Sequence, residues 1–177
     1  GLAYIQGMQD AGVMAVGKHF PGHGDTDADS HLTLPVINHD YERLNDLEFY
    51  PFKVAFKNDL MGVMAAHLHI PALDDTENLA VSLSKKVTTD LLRDTLGFKG
   101  LVFSDALNMK GVSNFYDPGE VDKVVFLAGN DILLFSEDIP RGISLIMQAV
   151  ENGEITEEYI EERLRKVLAY KYELNIQ

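Results

Sequence analysis

Two short runs of this sequence hold the residue types that perform acid, base and nucleophilic chemistry. The first, from Lys18 to His31, is K-H-F-P-G-H-G-D-T-D-A-D-S-H and combines one lysine with three histidines and three aspartates. Asp29 and His31 stand two positions apart, so in an extended segment their side chains point the same way. The Asp29 carboxylate could then hold one ring nitrogen of His31 and leave the other to carry a proton. The spacing predicts an acid/base dyad; the alternative is a solvated acidic loop.

The second run is L-V-F-S-D, in which Asp105 directly follows an apolar segment that begins at Leu101. A carboxylate where a buried strand meets a loop can serve as a nucleophile, a base or a helix cap. If a general acid faces it across the mouth of a barrel, it becomes a candidate nucleophile for glycosyl transfer.

Lys18 and His19 close the first apolar run of the chain. A lysine is a flexible donor suited to sugar hydroxyls; the alternative is a salt bridge at the edge of the core. His67 and His69 follow the second apolar run, and with His19 and Asp105 they could instead form the metal site of a barrel hydrolase. No spacing in the chain is diagnostic of a metal.

The elements that must position these residues repeat four times as strand, loop and helix. Apolar runs predict strands at about 13–19, 61–66, 101–103 and 132–135. In each run apolar residues follow one another and do not alternate with polar ones, which indicates a parallel sheet covered on both faces. In the helix that opens at Pro140, the predicted inward positions are Ile143, Ile146, Met147 and Val150.

All four predicted strands end in polar or ionisable residues, as the strands of a barrel do at its catalytic face. A complete barrel has eight such units and about 250 residues. The 177 residues therefore predict one partial domain, the C-terminal half of a (β/α)₈ barrel whose earlier strands lie outside the sequence. A complete, open four-stranded sheet is the alternative.

The composition excludes several classes of protein. The net charge of −13 argues against nucleic acid or an anionic membrane as a partner. No apolar run reaches the roughly 18 residues that a membrane span requires. The chain has no cysteine and opens at Gly1 without a methionine, so we expect its native N-terminus upstream, and the compartment stays open.

The first block resembles the signature of glycoside hydrolase family 3, in its β-N-acetylglucosaminidase branch. Two further blocks are similar to the next two of that family, in family order. They are V-M-A-A-H-L-H-I-P-A-L-D (63–74) and L-R-D-T-L-G-F-K-G-L-V-F-S-D-A-L-N-M (92–109). The resemblance covers nearly the whole chain and implies a retaining glycosidase that needs no cofactor or metal.

The resemblance also implies the roles of single residues. It makes Asp105 the nucleophile, His31 the acid/base in a dyad with Asp29, and Lys18 and His19 the ligands of the sugar. The implied substrates contain N-acetylglucosamine, as cell-wall muropeptides and chitin-type oligosaccharides do.

The family's other sugar-binding residues lie on earlier strands, so we expect no turnover from this chain without the rest of the barrel. The β-glucosidases of the family take their acid/base from a second domain and lack the D-S-H loop, so they fit less well. A non-catalytic sugar-binding remnant is a further alternative.

Overall fold

A computed structural model describes residues 1–26 and 33–176 of the chain. Its four strands are β1 (Val16–Phe20), β2 (Gly62–Ala65), β3 (Leu101–Ala106) and β4 (Ile132–Leu134). They form one sheet in the order β1-β2-β3-β4, and every neighbouring pair is parallel. The predicted repeat of parallel strand–helix units is therefore confirmed, and all four carboxyl ends lie along one edge of the sheet.

Helices and helical turns fill the connections between the strands. They are α1 (Leu2–Asp10), α2 (Tyr41–Arg43), a π-helical turn (Leu44–Glu48), α3 (Phe49–Phe56), a 3₁₀ turn (Val81–Leu83), a π-helical segment (Lys86–Thr95), α4 (Lys110–Ser113), α5 (Glu120–Ala128), α6 (Ile139–Glu151) and α7 (Glu157–Glu173). Pro51 lies in the first turn of α3, directly after the wider π-helical turn, where its missing N–H is tolerated. Among the described residues, no helix is both long and apolar enough to cross a membrane.

The main core lies between the sheet and the helices that follow β1 and β2. Phe20, at the end of β1, is fully buried and packs edge-on against Phe52, with ring centroids 5.2 Å apart. Gly100 is needed where β3 begins, because a Cβ there would lie 2.2 Å from the backbone oxygen of Met61. This close approach sets the start of β3 against the start of β2.

Polar caps begin two of the helical segments, and glycines follow the ends of two. Ser84 accepts from the backbone N–H of Val87 at 3.3 Å, and Thr156 accepts from that of Tyr159 at 3.2 Å. Gly97 and Gly129 adopt positive φ angles of 75° and 117° at helix ends.

Two predictions about burial are wrong. β1 begins at Val16 rather than near residue 13, and Val13 is 51% exposed. In α6, Ile143 and Met147 are more than half exposed instead of facing inward. Gly142 and Ala149 are the buried residues of α6, and a Cβ at Gly142 would lie 2.9 Å from Asp122 Cβ on α5. The helices meet at this small residue, and Ile143 and Met147 point away from the core.

An ion pair lies at the other end of the sheet, where β4 begins. The Asp131 side chain is fully buried; it accepts from Arg93 Nη2 at 2.6 Å and from the backbone N–H of Val102 at 2.8 Å. Lys166 Nζ on α7 lies 3.6 Å from the same carboxylate. This network holds α7 against the sheet at the amino end of β4, opposite the carboxyl end of β3 where Asp105 lies.

Candidate active site

The candidate site lies at the carboxyl ends of β1 and β3. His19 Nε2 approaches Asp105 Oδ2 to 3.8 Å, although β2 runs between the two strands that carry these residues. Adjacent strands are about 4.8 Å apart, so the two side chains together span roughly 10 Å of backbone separation. Two of the predicted site residues are thus brought together across the edge of the sheet.

The Asp105 carboxylate is held in one orientation. Its Oδ1 accepts the backbone N–H of Ala106 at 2.9 Å, while Oδ2 is the oxygen that faces His19. The side chain is 14% exposed, so it is largely shielded yet reachable from solvent. A carboxylate with one fixed oxygen and one oxygen directed at an open edge is suited to attack a bound ligand.

His67, after β2, is fully buried beneath this pair. Its Nε2 lies 3.1 Å from the carbonyl oxygen of Ala106, and its Nδ1 lies 2.7 Å from Ser82 Oγ. A carbonyl can only accept, so Nε2 carries the hydrogen and Nδ1 accepts from the hydroxyl of Ser82. Burial lowers the pKa of His67 below its usual value, although the negative charge of Asp105 opposes the shift. Burial therefore favours the neutral ring, whose hydrogen bond to Ala106 supports the end of β3.

The alternative metal site of His67, His69 and Asp105 is not formed. Both ring nitrogens of His67 already have partners, and Nδ1 of His69 lies 3.1 Å from the carbonyl oxygen of Leu79. Within residues 1–26 and 33–176, one other group has ligand atoms within 4.8 Å of one another: Asp25, His39 and Glu48.

That second group already contains a cation. Arg43 Nη1 lies 2.6 Å from each carboxylate oxygen of Glu48, and Arg43 Nη2 lies 3.7 Å from Asp25 Oδ2. A metal ion would have to displace or repel this guanidinium, so we interpret the group as an ion-pair cluster.

Lys18 is exposed and lies beside His19 in β1. Together with residues of α1 and α3 it lines a cavity of about 510 Å³. The register of β1 against β2 shifts between Gly17 and Phe20, and the peptide bonds Lys18–His19 and Phe20–Pro21 are cis. Asp29 and His31 lie outside the described residues, so their predicted dyad stays a prediction.

His23 is a neighbour of the site to which sequence reasoning assigns no role. Its ring lies 5.5 Å from that of His19, centroid to centroid. Thr26 Oγ1 in turn lies 3.1 Å from Nδ1 of His23 and 3.2 Å from its carbonyl oxygen. A series of contacts therefore runs from Asp105 through His19 and His23 to Thr26, close to the predicted dyad in sequence. The only sequence signal for a role of His23 is the number of histidines between Lys18 and His31.

Comparison with known proteins assigns the chain to a protein family. A family model described as the glycosyl hydrolase family 3 N terminal domain matches residues 1–170. The chain belongs to this family.

Individual relatives point to the same family. The chain is 34% identical to β-hexosaminidase A of Pseudoalteromonas piscicida, over 98% of this chain and 32% of that protein. It is 30% identical to a β-N-acetylglucosaminidase/β-glucosidase of Cellulomonas fimi, over 99% of this chain and 33% of that protein. The structure of a family 3 β-N-acetylglucosaminidase from Paenibacillus sp. str. FPU-7 superposes with a TM-score of 0.93 at 41% identity, covering 99% of this chain and 34% of the other. The chain thus spans about a third of each of these relatives.

Proposed function

We propose that this chain is the catalytic half-barrel of a retaining exo-β-N-acetylglucosaminidase. The observation that carries the proposal is the approach of His19 to Asp105 across the carboxyl edge of a parallel sheet, at 3.8 Å. Active sites of α/β barrels lie at this edge. Relatives named β-hexosaminidase and β-N-acetylglucosaminidase support the substrate class.

In the proposed mechanism Asp105 Oδ2 attacks the anomeric carbon of a terminal β-linked N-acetylglucosamine. His31, oriented by Asp29, protonates the departing glycosidic oxygen, and a covalent glycosyl-enzyme results. His31 then removes a proton from water, which hydrolyses the ester to Asp105 and releases the sugar with net retention. A histidine suits this pairing because, unlike a second carboxylate, it adds no negative charge beside the ionised nucleophile.

Lys18 and His19 are proposed to hold the sugar hydroxyls at the same strand end. His19 already faces the nucleophile, so a sugar bound to its ring would lie against Asp105 Oδ2. The substrates we expect are terminal N-acetylglucosamine residues of muropeptides or chitin-type oligosaccharides.

The proposal includes further strands, so the complete catalytic domain would be a (β/α)₈ barrel of which 1–177 is one part. β4 is an edge strand of the described sheet, and beside it Phe135, Ile139, Ile143 and Met147 are each more than half exposed. An apolar surface of this kind is typical of an interface that another part of a fold covers.

The test is turnover by the complete protein of an aryl β-N-acetylglucosaminide, with and without Asp105→Ala. We expect the variant to lose at least about 10⁴-fold in kcat, as nucleophile removal commonly does. A fluorinated glycoside that turns over slowly should add its mass to the peptide containing Asp105. An Asp105→Ala variant with the parent rate, or label on another peptide, would refute the assignment.

A β-glucosidase is the second candidate, favoured by the double name of the Cellulomonas fimi relative. The same assay with an aryl β-glucoside separates the two. If kcat/KM is higher for the glucoside, the substrate class proposed here is wrong even though the nucleophile assignment can stand.

A further inference from the structure

The strand that carries Asp105 has one residue more than the strand beside it. In the register of β3 against β4, Phe103 lies opposite Ile132 and Ala106 lies opposite Leu134, so three steps along β3 correspond to two along β4. An extra residue of this kind is a β-bulge, which bends its strand and changes the direction of the side chains in it. Asp105 lies within the bulge, so the local backbone helps to set where its carboxylate points.

Ser104, the residue before Asp105, bonds the bulge to β4. Ser104 is fully buried, and its Oγ lies 3.0 Å from the backbone nitrogen of Leu134. Since a backbone N–H can only donate, the hydroxyl is the acceptor. On the other side of Asp105, Leu107 donates its backbone N–H to the oxygen of Leu134 at 2.9 Å. Leu134 is therefore bonded to residues on both sides of the candidate nucleophile.

The register of β3 with its other neighbour, β2, is unbroken up to Ser104. It runs without a shift from the pair of Gly62 and Leu101 to the pair of Ala65 and Ser104. The backbone of Ser104 is thus fixed against β2, and its side chain is bonded to β4. Ser104 is the residue at which a regular strand passes into the bulge.

A second bulge lies in β1. Between Gly17 and Phe20, β1 advances three residues while β2 advances two. His19 lies in this segment, and its Nε2 is 3.8 Å from Asp105 Oδ2. Both side chains that meet across β2 therefore come from bulged segments, as is common beside active sites.

We propose that Ser104 is a positioning residue for the reaction. By accepting the N–H of Leu134, its hydroxyl holds the bulge in the shape that directs Asp105 Oδ2 at the open edge of the sheet. The inference rests on the proposed function, which makes Asp105 the nucleophile. Because Ser104 is fully buried, it acts through Asp105 and not on the sugar itself.

Loss of position of a nucleophile has its own kinetic signature. The nucleophile acts in the step that forms the covalent glycosyl-enzyme, so the rate constant of that step should fall while sugar binding changes little. Glycosides with good and poor leaving groups should slow by similar factors, whereas loss of a general acid harms mainly the poor ones. A loss of stability alone changes neither quantity under conditions in which the protein stays folded.

The experiment compares Ser104→Val with Ser104→Thr in the complete protein. Threonine keeps the hydroxyl and valine has nearly the same shape without it, so the difference between the two variants isolates the acceptor. A fluorinated dinitrophenyl β-N-acetylglucosaminide labels the nucleophile in each protein. We expect Ser104→Val to lower the maximal labelling rate about tenfold and to change the half-saturating concentration less than about twofold, since small misplacements of a reacting group cost up to ~100-fold. Ser104→Thr should keep most of the parent rate.

Thr89→Val is the matched control for the loss of a hydroxyl. Thr89 Oγ1 donates to the oxygen of Ala128 at 2.7 Å, at the end of α5 and before β4 begins. Its removal should lower the free energy of unfolding and leave the labelling rate unchanged. If Ser104→Val does not fold, Ser104→Cys takes its place and should show a smaller loss, because a thiol is a weaker acceptor of similar size.

A second readout is independent of activity. In Ser104→Val the N–H of Leu134 loses an acceptor, so amide hydrogen exchange in peptides that contain Leu134 should become faster. In Ser104→Thr the exchange should match that of the unaltered protein.

Several results would overturn the role of Ser104. They are a parent labelling rate in Ser104→Val, equal losses in Ser104→Val and Ser104→Thr, a loss confined to the half-saturating concentration, or unchanged exchange at Leu134. A fall of kcat/KM for an alkyl glycoside without one for a dinitrophenyl glycoside would also contradict it. If the unaltered protein carries no label on Asp105, the proposed function itself fails, and the positioning role fails with it.

Discussion

His67 Nε2 donates a hydrogen bond to the carbonyl oxygen of Ala106, the residue whose own N–H holds Asp105 Oδ1. The two bonds connect a buried ring on β2's end to the carboxylate on β3. His67 therefore supports the orientation of Asp105 indirectly, through the backbone of Ala106.

Replacing His67 with Phe should lower both the stability of the protein and its kcat. The change removes the partner of the Ser82 hydroxyl, and an unpaired buried hydroxyl costs about 1–3 kcal/mol. It also removes one of two hydrogen bonds to the Ala106 carbonyl, which keeps the backbone N–H of Met109 at 3.0 Å. Urea unfolding and aryl-glycoside turnover measure the two effects. Ser82→Ala is the matched control, because it removes one partner of His67 and leaves the bond to Ala106. If Ser82→Ala loses as much kcat as His67→Phe, the ring does not position Asp105.

His67 should also make the free energy of unfolding depend on pH. Burial lowers the pKa of His67 in the folded protein below 6.5, so the unfolded chain binds a proton more readily. The stabilisation from the neutral ring is complete above pH 6.5 and falls as pH drops through the lower folded pKa. In His67→Phe this part of the stability–pH curve should flatten, whereas a curve that keeps its slope below pH 6.5 would contradict the assignment.

Asp74 should cause a separate loss of stability at lower pH. Burial would raise the pKa of this carboxyl, but hydrogen bonds from Ser84, Lys86 and Thr76 outweigh it and lower the pKa to about 2. The resulting stabilisation, on the order of 2 kcal/mol, is present above pH 4 and is lost as pH falls through about 2.

Unfolding of Asp74→Asn followed from pH 5 to pH 2 measures this contribution. The variant should be less stable than the parent at pH 5, and the two should converge toward pH 2. Ser84→Ala should remove part of the same difference, because Ser84 donates to Asp74 Oδ2 at 2.6 Å. Parallel curves for parent and Asp74→Asn across the range would rule out the lowered pKa.

The sequence predicts most of the sheet because its strands are continuous apolar runs bounded by glycine, proline and polar residues. It also places Asp105 and His19 on one edge, since parallel strands share the direction of their carboxyl ends. It does not predict the start of β1, because Val13 and Val16 look equally apolar and only tertiary packing distinguishes them. The contact of His19 with Asp105 reaches across β2, and no local sequence pattern specifies such a distance.

The orientation of α6 shows why a periodic pattern can be misread. Ile143 and Met147 lie at helical spacing, yet Gly142 and Ala149 are the buried residues of α6, and Gly142 faces Asp122 on α5. A helix can approach its neighbour closely through small residues and present its large residues elsewhere. Likewise His39 Nε2 lies 2.5 Å from Asp25 Oδ2 although the two residues are 14 positions apart, and no periodic pattern predicts that contact.

The exposed apolar surface of α6 provides a test of the partial-barrel proposal. In the complete protein, Ile143→Asp should cost about 3 kcal/mol or more, since a buried unpaired charge is strongly destabilising. Tyr172→Asp is the control, because Tyr172 is 88% exposed on α7 and such changes stay within about 0.5 kcal/mol. Ile143 is 58% exposed in the described chain, so equal small effects from both variants would mean that nothing covers this surface.

Two groups could form the first bond to the anomeric carbon: the Asp105 carboxylate and the acetamido oxygen of the substrate. In some glycosidases the acetamido oxygen of the substrate attacks the anomeric carbon, and the enzyme's carboxylate acts only on that group. Asp105 has one oxygen fixed by Ala106 and the other directed at His19, which favours direct attack by the carboxylate. Replacing the N-acetyl group of an aryl glycoside with N-trifluoroacetyl weakens the acetamido oxygen as a nucleophile and leaves Asp105 unchanged. We therefore expect kcat/KM to change by less than about tenfold, roughly 1.4 kcal/mol in activation free energy. A much steeper fall along a series of mono-, di- and trifluoroacetyl substrates would show that the substrate, and not Asp105, forms the first bond to carbon.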